Sequence, residues 1–295
     1  MNPFIGRLTA VLLLMSGISA SFAADTEPES RAASRSLDLD IDIDSVNAST
    51  APKNFGYVLG ASVTSAPQYD GSELRKISLR PVIALRYGRF RLSTSSASSV
   101  LNFGSVQESS GASAELIRTK KLKLKASLRL SSGRTQSDSS DLSGIPNIRK
   151  TVIGRIGSSY SLTDRWAIGA TVGFDLLGRG TGLFIDTGAG YTWPYSATTV
   201  YKADFSLGFG NATNINAYFG VPLSAQTATR PAFDAGAGLR TGAVSLGFMT
   251  ALDKNWVLFG RASFSTVLGE ARQSPLVTQA AGAAATFGIG YRCCR

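Results

Sequence analysis

The sequence predicts an all-β chain that closes as an antiparallel transmembrane β-barrel of the bacterial outer membrane, with about 12 to 14 strands. Three observations lead there. From Lys121 to Leu130, Leu122, Leu124, Ala126, Leu128 and Leu130 share one face, and Lys121, Lys123, Lys125 and Arg129 share the other. That two-residue period belongs to a strand with one apolar and one charged face. The same alternation recurs between Phe55 and Tyr291, and in no set does the apolar face carry a charge. A Lys or Arg on a lipid face costs about 2 to 4 kcal/mol at mid-bilayer, whereas a lumen face tolerates it. Finally, Tyr57, Tyr87, Trp166, Tyr191, Trp193, Tyr201, Trp256 and Tyr291 lie near segment ends, as aromatic girdles at membrane interfaces require.

Along the chain, residues 1–24 read as a secretory signal. Arg7 is the positive head, Leu8 to Ile18 the apolar stretch, and Ser21-Phe22-Ala23 the cleavage tripeptide. The apolar stretch is far shorter than the roughly 20 residues a spanning helix needs. Residues 25–54 form an acidic, polar periplasmic leader that contains Leu37-Asp38-Leu39-Asp40-Ile41-Asp42-Ile43-Asp44. Its strict alternation suggests a strand whose acidic face docks on the basic body, with a flexible tail as the simpler reading.

Residues 55–295 are expected to be the barrel. Its staves begin with Phe55, Tyr57, Leu59, Ala61 and Val63, then Leu79, Ile83, Leu85 and Tyr87 opposite Arg80 and Arg86. The Lys121 to Leu130 stave follows, then Trp166 to Phe174, Leu183 to Trp193, Tyr201 to Phe209 and Ala283 to Tyr291. Shorter candidates lie at 89–95, 98–104, 213–221 and 243–251. The stretches 132–150, 266–281 and 65–76 read as loops. Gly188, Gly190, Gly208, Gly236, Gly238, Gly288 and Gly290 fall on the faces expected inward and suit a crowded lumen.

Composition narrows the chemistry. There are 31 glycines and a hydrophobic fraction of 43%, yet after the signal no apolar run reaches helical spanning length. The chain holds no histidine, the usual general base near neutral pH and the commonest metal ligand, so no Ser-His-Asp triad can be built. No catalytic, cofactor or metal site is expected. Asp175, Asp186, Asp204 and Asp234, with Arg155, Lys202 and Arg240, are expected on lumen faces as a mutually neutralising network, since buried charges need partners.

The net charge of +10 is uneven: the first 50 residues hold seven acids and three bases, so 51–295 carries 27 basic and 13 acidic residues. The basic residues of 121–129 lack stacking aromatics on their own face, so a nucleic-acid partner is not expected. Gly178-Arg179-Gly180-Thr181-Gly182 precedes a strand rather than a helix and reads as a hairpin loop, not a phosphate cradle. Cys293 and Cys294, the only cysteines, are adjacent, and strain in so small a ring favours a free pair or an intermolecular bridge.

Several strings taken in order resemble the MipA/OmpV family of outer-membrane proteins across roughly 55–292. They are Tyr69-Asp70-Gly71-Ser72, Arg80-Pro81, Arg86-Tyr87-Gly88, Tyr218-Phe219-Gly220-Val221, Phe233 to Leu239, Asn255-Trp256, and Leu268 to Pro275 with Ser274, ahead of Gly288-Ile289-Gly290-Tyr291-Arg292. The resemblance implies an outer-membrane barrel in contact with lipid. It also implies a non-enzymatic scaffold that brings a lytic murein transglycosylase to a bifunctional penicillin-binding protein. The alternatives are a small-solute channel that favours anions, with Arg80, Arg86, Lys121, Lys123, Lys125 and Arg129 as its lumen residues, and a surface adhesin or antigen. The ending Tyr291-Arg292-Cys293-Cys294-Arg295 departs from the terminal aromatic that such barrels usually carry.

Overall fold

Residues 55–94 and 111–293 are described in a computed structural model of the chain. The signal, the leader, the 98–104 candidate and Cys294 lie outside these residues. Twelve strands form a closed antiparallel barrel. They are β1 (Phe55–Pro67), β2 (Arg75–Tyr87), β3 (Phe90–Ser93), β4 (Gly111–Arg118), β5 (Leu122–Ser131) and β6 (Thr151–Ser161), then β7 (Trp166–Asp175), β8 (Leu183–Pro194), β9 (Thr199–Gly210), β10 (Gly238–Ala251), β11 (Trp256–Val267) and β12 (Ala281–Cys293). Each strand pairs with its sequence neighbours, and β1 meets β12 from Tyr57↔Cys293 to Ser65↔Ala285. The ring of strand pairings closes on itself, as a sheet immersed in lipid requires, although β3 reaches only Ala84 to Tyr87 of β2.

The apolar faces read from the sequence point outward. Ile77, Leu79 and Leu130 are 75%, 76% and 74% exposed, values that fit side chains solvated by acyl chains rather than by water. On the inner face the small residues make room for large ones. A Cβ on Gly173 would stand 2.1 Å from the Phe184 ring, and one on Gly288 2.4 Å from the ring of Phe259. Toward one end of the lumen Val58, Val82, Ala84, Val200, Met249, Val257 and Phe259 form a buried apolar cluster.

The two ends differ. One carries the short turns 88–89, 119–121, 162–165, 195–198 and 252–255, together with both ends of the described barrel. All eight girdle aromatics lie at this end, where Trp166 stacks on Tyr191 at 4.9 Å, Trp256 on Tyr291 at 5.4 Å and Trp193 on Tyr201 at 6.0 Å. The sequence had suggested girdles without placing them; the structure gathers them on a single rim. In bacterial barrels short turns are periplasmic and long loops external, which orients the chain.

The connections at the opposite end are long and fold over one another. The β9–β10 connection, 211–237, contains helix α1 (Ala212–Phe219) where alternation had suggested a strand over 213–221. Asn211 caps it by accepting from the Asn214 amide, and Ile215 and Phe219, four apart, bury its inner face. Other expectations shift by a few residues. The 89–95 candidate is the four-residue β3, and 243–251 is part of β10. The 65–76 loop shrinks to 68–74 and the 266–281 loop to 268–280, because the flanking strands run further. Cys293 is disulfide-bonded, so of the two expectations, a free pair or an intermolecular bridge, the free one does not hold.

Candidate functional site

The lumen has two unlike arcs. On β2, β3, β5 and β6 the inward positions carry Lys76, Arg80, Arg86, Arg91, Lys123, Lys125, Arg129 and Arg155. Register pairs several of them directly: Arg86 faces Arg91, Lys125 faces Glu115, and Ser127 faces Arg155. Glu115 is the only acid on the described strands of this arc, β2 to β6. Arg80 and Arg129 are exposed although they point inward, so this side of the lumen is open to water. Of the six basic residues expected there, Arg80, Arg86, Lys123, Lys125 and Arg129 share the inward face. Lys121 does not: it sits one residue before β5 in an exposed turn, because the stave begins at Leu122.

Across the lumen, on β8 to β11, charges are matched. Lys202 Nζ lies 2.7 Å from Asp204 Oδ1, and Arg261 Nη2 lies 3.6 Å from Asp204 Oδ2 and 2.9 Å from Ser245 Oγ. Arg240 reaches Asp186 at 3.6 Å and Asn214 Oδ1 at 3.1 Å. A β-bulge between Leu239 and Thr241 makes this possible by turning both Arg240 and Thr241 inward. The expected network is therefore present for Asp186, Asp204, Lys202 and Arg240. Asp175, at the end of β7, is held instead by the Thr151 hydroxyl and by the amides of Leu177 and Thr181. Asp234 is not a lumen residue; it lies in the β9–β10 connection beside a groove of about 700 Å³.

Two segments of the family-like pattern, 200 residues apart, meet in the loop cap. The Tyr69 hydroxyl donates to Leu276 O at 2.9 Å and to Asp141 Oδ2 at 3.3 Å. Burial, and then the Asp141 charge, push its pKa up to about 12. Gly71, with φ +98°, turns its carbonyl to accept from the Gln279 amide at 3.0 Å and the Thr278 hydroxyl at 3.3 Å. Ser72 closes the same turn by donating its amide to Tyr69 O. Ser274 donates from Oγ to Phe219 O at 2.5 Å, next to Pro275.

Arg134 is largely buried, which lowers its pKa, and it donates to the carbonyls of Ala217 and Tyr218. Leu276 is buried with Ile145, Val221 and Ala225. The remaining pattern residues lie elsewhere: Pro81 faces outward midway along β2, and at the other end Tyr87 closes β2, Gly88 turns with φ +54° and Trp256 opens β11. The cap was missed in the sequence, although Asn211 ahead of Ile215 and Phe219 was a usable helix signal.

The chain matches the family described as MltA-interacting protein MipA over residues 59–293. It belongs to the MipA family. Among curated proteins there is no match. Solved structures similar to it include the KdgM porin, at 11% identity and a TM-score of 0.37, with 79% of this chain and 98% of that one covered. An anion-selective porin from Comamonas acidovorans has 10% identity and a TM-score of 0.36 over 81% and 98%. The Pseudomonas putida toluene transporter TodX has 12% identity and a TM-score of 0.34 over 82% and 90%. With its closed sheet and apolar exterior, this MipA-family chain is a membrane barrel of the outer-membrane type.

Proposed function

We propose that this MipA-family barrel is a non-catalytic scaffold of the cell envelope, exported by residues 1–24, that gathers murein-processing enzymes at its periplasmic rim. The match to a family named for interaction with MltA carries this reading. The expected partners are a lytic murein transglycosylase and, through it, a bifunctional penicillin-binding protein. The architecture supports it: the external end is consolidated by cross-loop hydrogen bonds and a small apolar core. The other end offers short turns and the point, at Phe55, where the leader 25–54 joins the barrel. A pull-down from solubilised envelopes tests the reading. The full protein should recover the transglycosylase, and a chain lacking 25–50 should recover less if the leader makes the contact. Recovery of no murein enzyme by the full protein refutes the scaffold.

The basic arc favours a second reading, passage of small anions. Rings of Arg and Lys in a watery lumen attract anions, and Arg80 and Arg129 are exposed there. Planar-bilayer recording should then show an anion preference that falls when Arg80, Arg86, Lys123, Lys125 and Arg129 are replaced by Gln. Absence of current, or an unchanged preference, removes this reading.

A further inference from the structure

The turns of the short-turn rim are not alike. On the β2 to β7 side, three successive turns carry Arg89 (88–89), Lys120 and Lys121 (119–121) and Arg165 (162–165), all exposed, against a single carboxylate, Asp164. None of these four cations forms an ion pair with a described residue. Farther round the rim the turn 195–198 holds no charge, and in 252–255 Asp253 stands beside Lys254 and accepts from the Asn255 and Trp256 amides at 2.7 Å. The backbone fixes the basic turns in place. Arg89 O accepts from the Glu115 amide at 3.1 Å, Lys121 O from that of Ser161 at 2.8 Å and Arg165 O from that of Thr192 at 2.9 Å, so each turn is tied to the strand beyond its own hairpin.

The depth of this crescent follows from its neighbours in sequence. Phe90, Leu122 and Trp166, each one residue from a cation, point outward and are exposed to lipid. One residue of strand spans about 3.3 Å, and long Lys and Arg stems carry their charge from apolar surface to the polar layer above it. Arg165 shows the arrangement: its Nη1 lies 3.5 Å from the hydroxyl of Tyr191, which stacks on Trp166 at 4.9 Å in the aromatic girdle of the headgroup level. We infer that this crescent binds phospholipids of net negative headgroup charge in the leaflet on the short-turn side. A Lys or Arg beside an anionic surface favours it roughly fivefold, and here four of them sit on adjacent turns. An acidic protein is the rival occupant, disfavoured because every turn of the crescent adjoins a side chain that stands in lipid. The assignment does not depend on which enzymes the barrel gathers or on whether its lumen conducts.

The test uses the full chain in phosphatidylcholine bilayers, with two single-tryptophan proteins. Trp193→Phe with Trp256→Phe keeps Trp166 at the crescent, and Trp166→Phe with Trp193→Phe keeps Trp256, four strands round the rim. At about 5 Å per strand that separation is about 20 Å, beyond the Debye length of about 10 Å at 0.1 M salt. Lipid brominated near the headgroup is supplied at equal mole fraction as phosphatidylglycerol or as phosphatidylcholine. The glycerol lipid should quench Trp166 as though at least about threefold more concentrated than the choline lipid, against less than about 1.5-fold at Trp256. Salt at about 1 M should abolish the difference. Lys120→Gln, Lys121→Gln and Arg165→Gln together should bring the Trp166 ratio below about 1.5. Lys120→Arg, Lys121→Arg and Arg165→Lys together should preserve it, which separates loss of charge from loss of fold. Equal quenching of Trp166 by the two lipids, the same ratio at Trp256, or a ratio that survives the glutamine replacements overturns the assignment. Equal quenching together with loss of an acidic partner protein from the glutamine variant assigns the crescent to that partner instead. A preference that appears only when residues 25–50 are deleted also overturns it, in favour of the leader's carboxylates as the occupant. None of these failures touches the scaffold reading, which the pull-down tests separately.

Discussion

The two arcs of the lumen both carry cations but hold them differently. On β8 to β11, Lys202, Arg240 and Arg261 sit beside Asp186 and Asp204 in a largely buried setting. On β2 to β6, basic side chains follow one another with Glu115 the sole acid, and Arg80 and Arg129 stay exposed to water. The first arrangement is structural, because low dielectric makes a missing partner expensive. In the second, Arg80 and Arg129 stand in water that screens their charge. The same distinction separates the loop cap, consolidated by buried hydrogen bonds, from the turn rim, anchored by exposed aromatics.

Substitutions can break this contrast in order of size. Asp204→Asn takes a carboxylate from Lys202 and Arg261 at once and should lower the stability of the detergent-solubilised barrel by about 3 kcal/mol or more, read by thermal unfolding. Gly173→Val drives a side chain into Phe184 and should cost about 1 to 3 kcal/mol through overpacking. In the cap, Tyr69→Phe removes the donation to Leu276 O and should cost about 1 kcal/mol.

That same hydroxyl gives a pH signature. Its folded pKa of about 12 lies above the ordinary 10.0, so the fold favours the protonated form. Its contribution is whole below pH 10 and is lost as pH rises toward 12. Amide exchange in the loops 68–74 and 268–280 should accelerate over that window in the wild type and stay flat in Tyr69→Phe. The smallest effect belongs to the open arc: Arg80→Gln should change stability by no more than about 0.5 kcal/mol. A large loss there would show that the basic arc is as structural as its opposite.

The sequence made the staves readable because a two-residue period is local: Leu122 to Leu130 or Ala283 to Tyr291 declare their faces without any partner. It could not place Lys121, because the start of a stave depends on the register of its neighbours. The β10 bulge was hidden for the same reason, although it decides that Arg240 reaches Asp186. The cap was least readable, since Tyr69, Asp141 and Leu276 are joined only by closure of the barrel. Helix α1 was misread because Asn214 and Asn216, on either side of Ile215, imitated alternation.

The chain's three tryptophans, Trp166, Trp193 and Trp256, stand on one rim facing outward, which makes fluorescence quenching in bilayers the most direct measurement of all. With the barrel reconstituted in lipids brominated at graded depths, quenching should be strong, greatest for bromine nearest the headgroups and weakest at the bilayer centre. Strong quenching by aqueous iodide with none from any brominated lipid would contradict the barrel's lipid-facing exterior.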